Sequence, residues 1–302
     1  MLFRLKTDWL DFILSMTYPF RLKPLSFPDL TLLVFPLFLL LALPCSALES
    51  ALELKEVYSQ TVDRKLTLPA DEQHYYAELL RFNLQQAGLG NLSAQYLLMI
   101  DRSPRVQAAL LFWLAKDGHV DLIGASPAST GKHSGYEHFE TPLGVFEHSI
   151  KNPDFRAEGT KNKLGLMGYG NKGMRVYDFG WVIARKSWTP EVGTMRLQMH
   201  STDLLRLEPR LGSALSLGCI RIPATLNTLL DHYGVLDADY ERAISHPKVL
   251  QILDPDREKT PWSGRYMIIV DSRRMARPDW SPQPIIRKHL KSNSASKETA
   301  NK

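Results

Sequence analysis

One histidine and one cysteine hold the chemistry that stands out in this sequence. His200 ends the strand-like run Met195-Arg-Leu-Gln-Met199, and Cys219 follows nineteen residues later in the glycine turn Ser216-Leu-Gly-Cys-Ile-Arg221. Cysteine reacts as the thiolate, and a neighbouring imidazole is the usual means of generating or holding that thiolate near neutral pH. The two residues therefore read as a nucleophile and its base.

Cysteine usage supports this reading, because the 302-residue chain has only Cys45 and Cys219. Cys45 follows the apolar stretch Leu30–Leu43, which Arg21 and Lys23 precede, and it opens Cys45-Ser-Ala47, an A-x-A-like cleavage site. A helix of that length spans about 21 Å, short of the roughly 30 Å hydrocarbon core, so residues 1–47 are expected to be a signal peptide rather than a permanent span. Met16 gives a more ordinary leader than Met1 and is a candidate start. A lipid anchor on Cys45 is disfavoured, because Pro44 stands where such sites carry a small residue. Cleavage after Ala47 would leave one cysteine in an exported, oxidising compartment, where it is either a buried structural thiol or a working one. The net charge of +5 on the whole chain is a mild basic balance. It suits an anionic envelope polymer or a membrane surface and falls short of the Lys/Arg stripe of a nucleic-acid binder.

Those two residues need a scaffold. Residues 48–93 read as a helical segment: Leu52, Leu54, Val57 and Tyr58 recur at helix spacing, and Pro69 opens a second run that stops at Gly88. From Asn91 the pattern turns to strands. Gln95–Ile100, Val106–Leu114 and Val120–Ile123, with turns at Asp101–Pro104 and Lys116–Gly118, read as consecutive antiparallel strands. Gly144–Phe146, Met174–Tyr177, Trp181–Ile183, Met195–Met199 and Tyr266–Val270 continue the theme. One helix is expected over Pro223–His232, with proline at its first position. Residues 273–302 are poor in apolar side chains after Asp279 and are expected to be a basic disordered tail.

Three blocks together carry a resemblance. Ser216-x-Gly-Cys-x-Arg221, with His200 upstream, and further upstream Ser129-Thr-Gly-Lys132 followed by Thr141-Pro-x-Gly-x-Phe146, resemble the catalytic domain of the L,D-transpeptidases, the YkuD-like cysteine enzymes of peptidoglycan, over about residues 94–272. The resemblance implies a mainly β fold, a β-sandwich with a helix after the cysteine loop. It implies that Cys219 attacks a stem-peptide carbonyl, that His200 is general base and then acid, and that the backbone carbonyl of Ser201 orients the imidazole. The backbone N–H groups of Gly218 and Cys219 are the candidate oxyanion donors. Arg221 holds a stem-peptide carboxylate or braces the loop. Ser216 reads as a loop-bracing hydroxyl or a substrate contact, and Tyr169 and Lys172 as residues bordering the substrate cleft. The partners implied are peptidoglycan stem peptides in the periplasm or cell envelope, with no cofactor and no metal, and with membrane contact only through the signal segment or the tail. Hydrolysis by the same acyl-enzyme, as an L,D-carboxypeptidase or endopeptidase, stays open, as does an inactive wall-binding module.

Other patterns are weaker. Gly168-Tyr-Gly-Asn-Lys-Gly173 matches a dinucleotide fingerprint, but a strand rather than a helix follows it, so no nucleotide is expected. Ser129-x-x-Lys132 imitates the penicillin-binding motif, yet Gly131 argues for a turn where that motif needs a helix start. His119, His133, His138 and His148 lack metal-ligand spacing and are expected to be exposed loop histidines, His133 and His138 being nearest to substrate.

Overall fold

The computed structural model describes residues 50–283. The expected signal segment, with Met16 and Cys45, and the tail from residue 284 lie outside them. The described residues form a mixed α/β fold with two sheets.

Two helices, α1 (Glu53–Thr61) and α2 (Ala70–Gln86), come first. The strands are β1 (Gln95–Asp101), β2 (Ala108–Leu114), β3 (Val120–Pro127), β4 (Gly144–Glu147), β5 (Phe155–Arg156), β6 (Arg175–Arg185), β7 (Val192–His200), β8 (Ile220–Arg221) and β9 (Tyr266–Val270). Helices α3 (Ala224–His232), α4 (Ala238–Arg242) and α5 (Pro247–Ile252) separate β8 from β9. One sheet has the order β3-β2-β1-β9-β4 and the other β5-β6-β7-β8.

Strands β1, β2 and β3 form the expected antiparallel meander. The last strand does not sit at an edge: β9 inserts between β1, to which it is parallel, and β4, to which it is antiparallel. Its sequence Tyr-Met-Ile-Ile-Val suits that place, since a strand covered on both faces reads as a continuous apolar run. One face of this sheet, with Tyr96, Leu98, Ile100 and Ile269, shares a core with Tyr177, Phe179, Leu197, Met199 and Ile220 of the other sheet and with α1 and α3. Its opposite face, with Leu97, Met99, Phe112 and Ile268, is covered by Tyr76, Leu80 and Leu84 of α2. The two N-terminal helices thus belong to the packing of the strands.

Four expectations are corrected. The runs around Tyr177 and Ile183 are one strand, β6, because a bulge between Asp178 and Trp181 absorbs the break that Gly180 suggests. Pro223 is the N-cap of α3 rather than its first helical residue. Residues 273–283 are not a loose tail: Trp280 packs edge-on against Tyr76, Arg274 pairs with Glu72 at 2.6 Å, and Ser281 is buried. His148 is fully buried, held by Asp154 at 2.9 Å and by the carbonyl of Leu236, and stacked on Tyr240. Asp154 also meets Arg175, which pairs with Asp237 at 2.7 Å and lies over the rings of Tyr177 and Tyr240.

Candidate active site

The site lies on the face of β7 and β8 that turns away from the shared core. Met195, Leu197 and Met199 point into that core, so the strand period of two sends Arg196, Gln198 and His200 to the other side. On β8 Ile220 is in the core, which turns Cys219 and Arg221 the same way. The strands are parallel, with Met199 beside Ile220 and His200 beside Arg221. That register puts the thiol and the imidazole on one face of one strand pair.

The cysteine loop is shaped by the two upstream blocks of sequence. Ser129 and Arg221 exchange backbone hydrogen bonds of 2.9 Å, and the Lys132 N–H donates to the carbonyl of Ser216 at 3.0 Å. Ser129–Lys132 is therefore an extended segment laid against the loop, as Gly131 suggested. Thr141 ties the blocks together: its hydroxyl donates to the carbonyl of Gly218 at 2.7 Å and accepts from the Gly131 N–H at 2.8 Å. Gly131 has no room for a side chain, because a Cβ there would lie 1.9 Å from the Phe139 carbonyl oxygen. Gly218 is required twice over, by its φ of 140° and by Met195, whose side chain a Cβ would approach to 2.8 Å.

His200 is buried, with 4% of its surface exposed, and the ring of Tyr169 meets it edge-on at 4.6 Å. Its Nδ1 is bonded to the backbone carbonyl of Ser201, so Ser201 holds the position expected of it. A carbonyl only accepts, which puts the proton on Nδ1 and leaves Nε2 free to take one. Burial lowers the pKa of this imidazole from 6.5 to about 4, the Ser201 bond opposing and the charge of Arg221 adding to the shift. The Cys219 thiol is partly exposed. Burial pushes its pKa up, against the backbone N–H of Gln198 and the charge of Arg221, which favour the thiolate. Both partners are thus neutral near pH 7, an arrangement in which the base acts during attack rather than one with a standing thiolate–imidazolium pair.

The other expected residues divide. Tyr169 is brought to the site: it packs on His200, and its hydroxyl donates to Gln198 Oε1 at 3.1 Å. Lys172 is exposed in the loop before β6. Ser216 is a brace: its buried hydroxyl donates to the Cys219 carbonyl and accepts from the Gly218 N–H at 3.1 Å. The same bond corrects the role expected of Gly218, whose N–H is already engaged by that hydroxyl and is not open to an oxyanion. Of the two amides expected to serve, the N–H of Cys219 remains. Arg221 makes no loop brace through its side chain, for its buried Nε has no hydrogen-bond partner. It lines a cavity of about 210 Å³, together with Ser129, Lys132, His138, Leu207, Arg210 and Leu215. His138, expected near substrate, is in that lining.

Sequence reasoning missed Gln198 and Arg210. Gln198 lies two residues before His200, so strand alternation alone could have placed it on the same face. Arg210 stands in the short helical turn Glu208–Arg210, and no local pattern points from there to the cysteine loop. Compared with known proteins, the chain matches no protein-family model and no curated protein at a significant level.

Proposed function

We propose that this chain is a cysteine acyltransferase of peptidoglycan stem peptides in the cell envelope, of the L,D-transpeptidase kind, with its two sheets packed as a β-sandwich. The observation that carries the reading is the placement of a partly exposed thiol and a neutral imidazole on one face of β7 and β8. The imidazole has its Nδ1 held by Ser201 and its Nε2 free.

In the proposed reaction the Cys219 sulfur attacks the carbonyl carbon of the acyl donor while its proton passes to His200 Nε2. The C–S bond forms and the carbonyl oxygen becomes an oxyanion near the Cys219 N–H. Collapse breaks the C–N bond, and His200 returns the proton to the leaving amine, which departs as the free terminal amino acid. An acceptor amine then repeats the sequence on the thioester: its proton goes to His200, the C–S bond breaks, and the sulfur is reprotonated. Tyr169, packed on the imidazole, limits its rotation, and the Thr141 bridge holds the loop that presents the sulfur. Water in place of the amine gives the carboxypeptidase outcome, which the same residues accommodate.

Incubation with a disaccharide-tetrapeptide, with products resolved by mass, tests the proposal. The expected result is release of the terminal residue, with all turnover lost in Cys219→Ala. His200→Ala should slow acylation by roughly 10²-fold or more, the scale of a positioned general base, without loss of the folded circular-dichroism signal. Full turnover in Cys219→Ala would refute the proposal.

A further inference from the structure

Asp178 on β6 is buried, with 1% of its surface exposed, and its carboxylate bonds to the strand that carries His200 and to its own bulge. Oδ2 accepts from Arg196 Nε at 2.7 Å and from Gln198 Nε2 at 2.8 Å, and Oδ1 accepts from the Gly180 N–H at 2.8 Å. The Asp178 N–H donates to Asp154 at 2.8 Å, which ties the residue to the Arg175 network. Arg196 and Gln198 are the residues whose main chain meets the sulfur: the thiol lies 3.9 Å from the Arg196 carbonyl, and the Gln198 N–H favours the thiolate. A carboxylate only accepts, so it faces the NH2 of Gln198 and leaves Oε1 to take the Tyr169 hydroxyl at 3.1 Å. The ring of Tyr169 then meets His200 edge-on at 4.6 Å. One buried anion thus reaches the main chain beside the nucleophile and the ring beside the base. Its charge does not favour the thiolate. Burial first, and then Asp178, push up the pKa of the Cys219 thiol, and burial, Cys219 and Asp178 together push up that of the Tyr169 hydroxyl. What Asp178 supplies is orientation.

Resting on the reading of Cys219 and His200 as nucleophile and base, we propose that Asp178 is a positioning residue of that pair, acting through Gln198 and Tyr169. The carboxylate fixes the Gln198 amide, the amide fixes the Tyr169 hydroxyl, and the Tyr169 ring keeps the imidazole in place while Nε2 takes the thiol proton. The relay runs in one sense only. Turning the amide over would set Oε1 against the carboxylate, two acceptors with no proton between them. Gln198 is itself buried, so the relay works behind the cleft and its loss falls on the acylation rate rather than on donor binding.

The test reads the imidazole without substrate and then the acylation rate. In the free protein the His200 Cε1–H resonance, identified by its absence in His200→Gln, reports the neighbouring Tyr169 ring by proton NMR. Asp178→Asn, Gln198→Met and Tyr169→Phe should each displace it with the folded circular-dichroism signal kept, and Gln198→Met/Tyr169→Phe should displace it no further than either change alone. Gln198→Glu sets two carboxylates against each other and should act as Gln198→Met does, which reads the Asp178 contact even if Asp178→Asn does not fold. With disaccharide-tetrapeptide, Gln198→Met and Tyr169→Phe should each slow acylation roughly 3-fold to 10-fold, the scale of one hydrogen bond, with KM within about 2-fold of the wild type. The double variant should match the single ones instead of multiplying their losses, as residues of one relay do. Displaced resonances together with no turnover of the donor by the wild type would keep the positioning role and overturn the transpeptidase reading. A resonance unmoved in Gln198→Met and Gln198→Glu, or losses that multiply in the double variant, would overturn the positioning role and leave that reading standing.

Discussion

Arg175 is fully buried and Arg221 half-buried, and they are provided for in opposite ways. Arg175 is enclosed by Asp154, Asp237 and Asp231, and Arg156 and His148 extend the network. Arg221 faces a cavity whose lining adds Arg210 and Lys132 and no acid. The histidines beside them follow suit. His148 is drawn up by Asp154, whereas His200, buried near an unneutralised guanidinium, is driven down to about 4. A charged cluster whose charges are all answered from within can only hold the fold together. One whose cations meet no acid among the described residues lacks that internal answer.

The largest effect that would break this contrast is on stability. Arg175→Met removes the one buried guanidinium that three aspartates share, and it should cost about 3–5 kcal/mol or abolish folding, as loss of one partner of a buried pair does. Arg221→Met leaves no carboxylate stranded, so its urea midpoint should match the wild type or exceed it. A larger loss in Arg221→Met than in Arg175→Met would invert the comparison.

Acid should separate the two histidines. The folded pKa of His200 lies below its unfolded value of 6.5, so the unfolded chain binds the extra proton first and stability falls as pH drops from about 6.5 to about 4. The shift amounts to roughly 3 kcal/mol. His200→Gln should remove that part of the acid slope in urea unfolding. His148 has the opposite sign: its raised pKa gives stability that is fully present below 6.5 and is lost as pH rises through the folded value. An acid slope that His200→Gln leaves intact would show that the imidazole is not buried neutral.

A smaller effect tests how the cysteine loop is held. Thr141→Val keeps the shape and deletes the hydroxyl between the Gly131 N–H and the Gly218 carbonyl. Leaving both groups short of a partner should cost about 1–3 kcal/mol and slow acylation of Cys219 more than it alters KM. Unchanged acylation in a destabilised variant would limit Thr141 to folding.

What could be read from the sequence follows the range of the forces involved. The pairing of Cys219 with His200 rests on residue type and strand alternation, and the β1–β3 meander on apolar runs divided by turn residues. All of these are local. His148 lacks metal-ligand spacing and reads as an exposed loop histidine, yet its burial is decided by Asp154 and by Leu236, 88 positions away. The engaged N–H of Gly218 depends on which way the Ser216 hydroxyl points, and the packing of Trp280 depends on Tyr76, some two hundred residues earlier. The Arg221 cavity draws on Ser129, Arg210 and Leu215 at once, and no single window of sequence contains it.

The central claim is that Cys219 forms a thioester with a stem peptide while His200 carries the proton. Rapid-quench intact-protein mass spectrometry of the enzyme mixed with disaccharide-tetrapeptide tests it most directly. The account predicts a transient adduct of the donor minus its terminal residue, mapped to Cys219, slowed roughly 10²-fold in His200→Ala and absent in Cys219→Ala. Turnover of the donor with no adduct on Cys219, or an adduct on another residue, would contradict it.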